Sequence, residues 1–305
     1  MVADFPGLRA LIETEAKRPL PVTVTACTSY LRHRFGATTA GILFYGAGIR
    51  GVDPQTLLDF YVIVDDPYAA LNSAWAGLAA VVLPPNVYLV EVPLPGGIVC
   101  AKVAVIGRRA FFAGTTAFSS HLWGRFAQPT IIAYARDRMI REDLIMALMT
   151  SARSMMTRTL PLMPSRFTAR SLWARSLQEC YAAELRPERA GRADVLVAEN
   201  ETRYETMTAA VLGPPDGDGC FKRPTAVHPA QARIGWWFRR RWGKTTNLLR
   251  LMKAAFTFSG GLDYAVAKIA RHTGVKVEIT DKDRRHPLLA GIRVFLEARR
   301  RGGVR

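Results

Sequence analysis

Apolar and polar positions follow two rhythms along this chain, and the rhythm changes near residue 130. Residues 7–18 carry apolar positions at helical spacing and predict an amphipathic helix. The stretch PVTVTACTSYLRHRFG (21–36) is ambiguous, with its second half predicted helical. Four apolar runs then read as strands: AGILFY (40–45), LLDFYVIVDD (57–66), NVYLVEV (86–92) and IVCAKVAVIG (98–107). They are rich in β-branched and aromatic residues, and the third is bounded by prolines on both sides. Between the second and third, PYAALNSAWAGLAAVV (67–82) has helical spacing. Residues 1–130 therefore predict a mixed unit built on one sheet. Beyond them, residues 137–158 predict a Met-rich helix, and Thr168 is an N-cap for another. The chain up to about 212 also reads as helical, and GPPDGDG (213–219) is the clearest linker. The expected class is α+β, with a sheet domain at 1–130, a mostly helical domain at 131–212, and a linker and tail at 213–305.

Composition narrows this picture. The chain has 305 residues, of which 49% are hydrophobic and 22% charged, enough for packed cores and too apolar for wholesale disorder. The first twenty residues lack a continuous apolar core, so no secretory signal is expected. The long apolar region 76–106 is interrupted by Pro84, Pro85, Glu91, Pro93, Pro95, Gly96 and Gly97, so no bilayer-spanning helix is expected either. Cys27, Cys100, Cys180 and Cys220 are far apart, as are the five histidines. This spacing predicts reduced thiols and draws no zinc site. The net charge of +17 is uneven. Residues 221–305 hold 20 Lys or Arg against 5 Asp or Glu, leaving +2 for the first 220. Such a tail calls for a polyanion, either nucleic acid or an anionic membrane face.

The candidate chemistry starts at Gly46-Ala47-Gly48-Ile49-Arg50-Gly51, a literal G-x-G-x-x-G after a strand. A dinucleotide fingerprint needs a crossover helix before the next parallel strand, a dozen or more residues. Only about five separate Gly51 from the next predicted strand, so the two strands are expected to be adjacent and antiparallel. A plain structural turn is one remaining reading. The other is a nucleotidyltransferase turn, whose backbone N–H groups face a triphosphate while Asp59 beside it holds Mg²⁺.

Several segments taken in order resemble one family. They are FYGAGIRG followed by LLDFYVIVDDP, then AKVAVI (101–106), SSHLWGRFAQP (119–129) and LPLMPSRFTARSLWARSLQECYAAELR. The chain resembles the mitochondrial-type phosphatidate cytidylyltransferases, the translocator-assembly-and-maintenance proteins, in a bacterial version, over roughly residues 40–210. The resemblance implies a nucleotidyltransferase-fold domain followed by a winged-helix-like domain. It implies transfer of CMP from CTP to phosphatidic acid, giving CDP-diacylglycerol and pyrophosphate with Mg²⁺. It also implies a cytoplasmic enzyme, peripheral on the inner face of the cytoplasmic membrane. The family turn usually carries Ser where Ala47 stands, and Trp-His where Ala70 and Leu71 stand. Two rivals stay open: a non-catalytic protein of this fold that binds lipid or a partner, and a nucleotidyltransferase acting on nucleic acid.

Asp59 is the expected catalytic metal ligand, with a solvated strand-end acid as the bland alternative. Tyr61 occupies the position two residues on where many nucleotidyltransferases place a second acid. Asp65 shares that strand face but lies about 20 Å along it, too far to share a metal. Glu91 is the expected second carboxylate, since a charge in an apolar strand wants a partner or an edge. Asp65 and Asp66 are expected to cap the following helix. Lys102 is expected at a β- or γ-phosphate, with a snorkelling lysine as the alternative. Gly46, Ala47, Gly48, Lys102 and Arg125 form the expected nucleotide-binding set, Arg125 having a surface ion pair as its alternative. Asn200 and Arg203 are weaker candidates from the second domain.

The tail segment RIGWWFRRRWGK (233–244) sets three Trp beside five Arg or Lys. Leu288, Ile292, Phe295 and Leu296 form a helical stripe before three arginines. This composition predicts that residues 233–305 dock on an anionic membrane, with nucleic acid as the rival partner.

Overall fold

The structure, a computed structural model, describes residues 5–51, 56–95, 97–184, 191–224 and 228–257, with three single positions beyond. The stripe at 288–296 lies outside the described residues. The architecture is α+β, as the sequence predicts. Two helices lead: α1 (Pro6–Ala16) and α2 (Val22–Phe35). The whole ambiguous stretch after Pro21 is helical, not only its second half. Its β-branched start is overridden because Val24, Cys27, Leu31 and Phe35 form one buried stripe.

The central sheet is five-stranded, in the order β3-β4-β2-β1-β5. Its strands are β1 (Thr39–Tyr45), β2 (Leu58–Val64), β3 (Asn86–Leu94), β4 (Gly97–Gly107) and β5 (Thr130–Ala135). β1 and β2 are antiparallel neighbours, as the short gap requires. β2 and β4 are parallel, and α3 (Pro67–Leu71), α4 (Ala74–Val82) and β3 make the crossover. β5, which the sequence reading did not single out, pairs with β1 and closes that edge.

Period-two alternation puts Ile42, Phe44, Phe60, Val62, Val103 and Val105 on one face, packed under α2. Leu43, Tyr45, Tyr61, Ile63, Ala104 and Ile106 point to the other face. There they meet α5 (Arg108–Gly114), α6 (Leu122–Phe126) and the 22-residue α7 (Arg138–Thr159). That second core runs on into α8 (Ala169–Ala183), α9 (Arg192–Ala198) and α10 (Glu201–Leu212). Thr168 caps α8 through a reciprocal bond pattern with Ser171. Strands β6 (Arg166–Phe167) and β7 (Phe221–Lys222) form a small ribbon beside it.

The last described helix, α11 (Pro229–Thr257), is 29 residues long. It faces the body with Trp236, Arg239, Gly243, Thr246, Arg250 and Lys253, spaced three and four residues apart. Trp236 is fully buried, and its indole donates to the Arg158 carbonyl at 3.0 Å. Arg239 lies 4.0 Å over the Trp123 ring and donates to the Phe118 and Ser120 carbonyls. A Cβ at Gly243 would sit 2.2 Å from the Ala183 carbonyl oxygen, so only glycine lets α11 cross the end of α8 this closely. Trp236 and Arg239 are therefore core residues rather than part of an outward surface. The outward side instead shows Ile234, Trp237, Phe238, Trp242 and Leu249, all well exposed, beside Arg233, Arg241 and Lys244. No described helix is long and apolar enough to cross a membrane.

Candidate functional site

The site forms where β1 ends in the glycine turn and β2 begins. Gly46 turns the chain with φ +85°, and a single 3-10 turn over Ala47–Ile49 follows. A Cβ at Gly46 would lie 2.8 Å from Asp59 Oδ2. The glycine is therefore required twice, for its dihedral and for the carboxylate packed against it. Gly48 is tight for another reason, since a Cβ there would meet the Phe44 ring at 2.8 Å.

Strand register sets one row across the sheet. Leu89, Lys102, Asp59, Tyr45 and Thr130 are successive Cα partners on β3, β4, β2, β1 and β5. Lys102 Nζ stands 3.5 Å from Asp59 Oδ1, and both side chains are about three-quarters buried. The sheet thus brings Asp59, Lys102 and the glycine turn together. Glu91 is not brought to this group. β4 inserts between β3 and β2, and Glu91, exposed on the edge strand β3, pairs with Cys100 of β4. Two strand spacings and two residues of offset leave about 12 Å between its Cα and that of Asp59.

Asp65 and Asp66 serve structure. Asp66 caps α3 by accepting from the Tyr68 N–H at 2.8 Å. Asp65 pairs with Arg108 at 3.1 Å and with Arg136, rather than capping. Asn200 donates to the Leu196 carbonyl at 3.1 Å. Arg203 forms a buried 2.6 Å ion pair with Glu15 and donates to the Ala127 carbonyl at 2.8 Å, tying α10 to α1 and to the end of α6.

Arg125 is a buried member of the site. Its guanidinium donates to Tyr45 Oη at 3.3 Å, lies 5.4 Å from the Tyr45 ring and 5.8 Å from that of Tyr61, and faces Glu184 at 3.9 Å. Burial opposes its charge, but Tyr45, Tyr61, Glu184 and Asp59 outweigh burial and hold it firmly protonated. The same burial pushes the Tyr45 hydroxyl far up. Phe126 packs edge-on against both tyrosines at 5.8 and 5.0 Å, which fixes their rings. Tyr61 Oη meets His121 Nε2 at 3.1 Å.

Three residues of this group escape the sequence reading: Tyr45, His121 and Glu184. His121 stands one helical turn before Arg125, a spacing that could have drawn attention to it. Glu184 stands at the C-terminal end of the distant α8 and carries no local signal.

The donor set decides which metal could bind. No group of three His, Cys, Asp or Glu residues gathers among the described residues. A single carboxylate beside a backbone turn fits Mg²⁺, which takes one or two carboxylates and completes its shell with waters and substrate phosphates. It does not fit zinc.

No family model matches the chain, and no curated protein matches it. Among the solved structures that match is a nucleotidyltransferase-like protein from Exiguobacterium sibiricum, 12% identical, covering 81% of this chain and 79% of that one at a TM-score of 0.26. At that score the likeness decides nothing about chemistry or substrate.

Proposed function

We propose that the protein is a nucleotidyltransferase that passes CMP from CTP to phosphatidic acid. The observation that carries this reading is Asp59, whose two carboxylate oxygens face Lys102 and the Gly46 turn respectively. On this reading the strand, the glycine turn and the acid on the antiparallel return strand are the nucleotidyltransferase layout that the sequence predicts. Gly46, Ala47 and Gly48 would offer backbone N–H groups to the triphosphate. Lys102 would exchange Asp59 for a β- or γ-phosphate when the nucleotide arrives. Asp59 would hold Mg²⁺, which supplies charge neutralisation on the transferring phosphoryl group.

The bonds balance without a general base. An oxygen of the acceptor phosphate, already ionised, forms a bond to the α-phosphorus. The bridging oxygen between the α- and β-phosphates leaves with the electron pair as pyrophosphate.

The substrate class draws on the resemblance above and on α11. Its outward side combines Trp237, Phe238 and Trp242 with Arg233, Arg241 and Lys244, a composition suited to an anionic bilayer surface. On this reading the protein is cytoplasmic and peripheral on the inner face of the membrane, where a two-chain lipid substrate resides.

The test is purified full-length protein with CTP, Mg²⁺ and phosphatidic acid in mixed micelles. CDP-diacylglycerol and pyrophosphate are expected, and Asp59→Asn should slow the release of both by about 10²- to 10³-fold. No product from wild type, beside a working control enzyme, would overturn the reading.

A further inference from the structure

We propose that α4, with Tyr68 beside it, is a second lipid-facing element, whose apolar side sinks to the acyl boundary of an anionic bilayer while α11 adsorbs to the headgroups. This rests on the membrane-docking part of the proposed function and not on the transfer chemistry. From Pro67 to Val90 the chain has no charged residue. A helix that is apolar all round belongs inside a core or a membrane. α4 is buried on one side only. Gly77 and Ala80 face inward, while Trp75, Leu78, Val81 and Val82 stand exposed, Trp75 at 81% and Val82 at 72%. At 3.6 residues per turn these four span an arc of about 120°. Tyr68 extends the patch, because its ring lies against Gly77, where a Cβ would come within 2.4 Å of it.

The polar ends of α4 are answered from within the protein. At its start the Ser73 hydroxyl accepts from the Ala76 N–H at 3.3 Å. The Asn86 amide donates to the Ala76 carbonyl at 2.8 Å. At the other end the Lys253 ammonium of α11 donates to the carbonyls of Ala79, Leu83 and Pro85. Water would serve these carbonyls unaided, whereas in lipid each needs a partner from the protein. The outer side of α4 is left with hydrocarbon and indole alone.

The face is too small for a second copy of this chain. Nine residues make a helix about 14 Å long and 10 Å wide, against roughly 800 Å² that each partner gives to a stable interface. A net charge of +17 also repels a second copy and attracts anionic lipid. Position agrees with charge. β3 is the sheet's edge, and α4 and α11 both pack on it. α4 does so from the α2 face, since Asn86 shares the parity of Val90 and Val92. α11 does so from the α7 face, where Trp236 joins the core. Lys253, and Arg250 donating to the Pro84 carbonyl at 3.0 Å, tie the end of α11 to the end of α4. One flat surface along this edge therefore meets both helices.

The experiment uses full-length protein and vesicles of phosphatidylcholine with phosphatidylglycerol, which lack the acceptor lipid. A variant carrying Trp75→Ser and Val82→Asn should float with an affinity about tenfold below wild type. Its salt dependence should not change, because α4 carries no charge. In vesicles with brominated acyl chains, tryptophan emission should be quenched more in wild type than in Trp75→Phe. Without lipid, the emission that Trp75→Phe removes should be that of a water-exposed indole at every protein concentration. Equal flotation of the double variant and wild type, or equal quenching with and without Trp75, would overturn the proposal. So would a lipid-free Trp75 signal already shielded from water. Shielding that grows with concentration would mean that a second copy covers α4, and constant shielding that another segment of this chain does. Wild type that never floats removes the docking reading and this proposal together. Flotation lost on alanine substitution of Trp237, Phe238 and Trp242 but untouched by the α4 changes removes this proposal alone. Circular dichroism melts show whether the double variant has folded, and Trp75→Phe carries the test if it has not.

Discussion

Asp59 and Lys102 are direct Cα partners across the parallel β2–β4 pair, with 3.5 Å between carboxylate and ammonium. A charged pair in the central row of a sheet is costly to desolvate, and each partner offsets the other. Asp59→Asn leaves the Lys102 ammonium without its carboxylate and should lower the melting temperature, while lowering kcat by about 10²- to 10³-fold at temperatures where the variant is folded. Lys102→Met should act chiefly on the KM for the nucleotide. Steady-state kinetics with both substrates varied decides between these effects.

Gly46 and Gly36 separate backbone strain from site geometry. Both have positive φ, at +85° and +66°. A Cβ at Gly46 would meet the Asp59 carboxylate, whereas nothing lies within 4 Å of one at Gly36. Alanine at Gly36 should cost about 1–2 kcal/mol of stability from its dihedral alone, and alanine at Gly46 more than that, because its Cβ also meets Asp59. Only Gly46→Ala should also remove activity. Equal activity losses in the two variants would mean that the turn acts only through stability.

The Glu15–Arg203 pair should matter more to folding than any surface bridge. Its members are 6% and 8% exposed. Arg203→Ala leaves a buried carboxylate unpaired and should cost about 3–5 kcal/mol in urea titrations. Arg50→Ala breaks the exposed bridge to Glu199 and should cost at most about 1 kcal/mol.

Lys253 gives the protein a pH signature. Burial, and then Arg250, push its pKa down to about 7 from 10.5. Between these values the unfolded chain binds more protons, so stability should rise with pH. Cys27 and Cys180, pushed up by burial to about 11 and about 12, act oppositely once their unfolded thiols ionise near 9. The clean window is therefore about pH 7 to 8.5. The denaturation midpoint should climb across it in wild type and stay flat in Lys253→Met.

The outward side of α11 should govern vesicle binding. Trp237→Ala, Phe238→Ala and Trp242→Ala together should abolish flotation on phosphatidic-acid vesicles without changing the melt. Wild-type binding should weaken as salt rises, since each basic residue near the surface contributes about 1 kcal/mol. Flotation that survives the triple substitution would place the docking surface elsewhere.

Much of the sheet was legible because its strands are short, β-branched and bounded by glycine or proline. The five-residue gap after Gly51 predicted the β1–β2 pairing, and with it the place of Asp59. Strand order was not legible. Nothing in NVYLVEV says that β4 will insert between it and β2, so Glu91 looked adjacent when it stands at the edge. TIIAYA, between Pro129 and Asp137, carries no separate strand signal because it follows directly on a helical turn. The basic, Trp-rich segment misled in part. Its inward stripe contains Arg239, Arg250 and Lys253, whose charges are met by carbonyls and rings that only the folded chain assembles.

The crossing at Gly243 also has a consequence in time. Synthesis delivers the glycine turn and Asp59 early, whereas Arg250 follows 191 residues later. At ordinary elongation rates that interval is about ten to forty seconds. During it, the sheet can form with its carboxylate and lysine in place while α11 has yet to reach α8. On the reading proposed above, a nascent or truncated chain would have its nucleotide turn in place before α11 packs against α8.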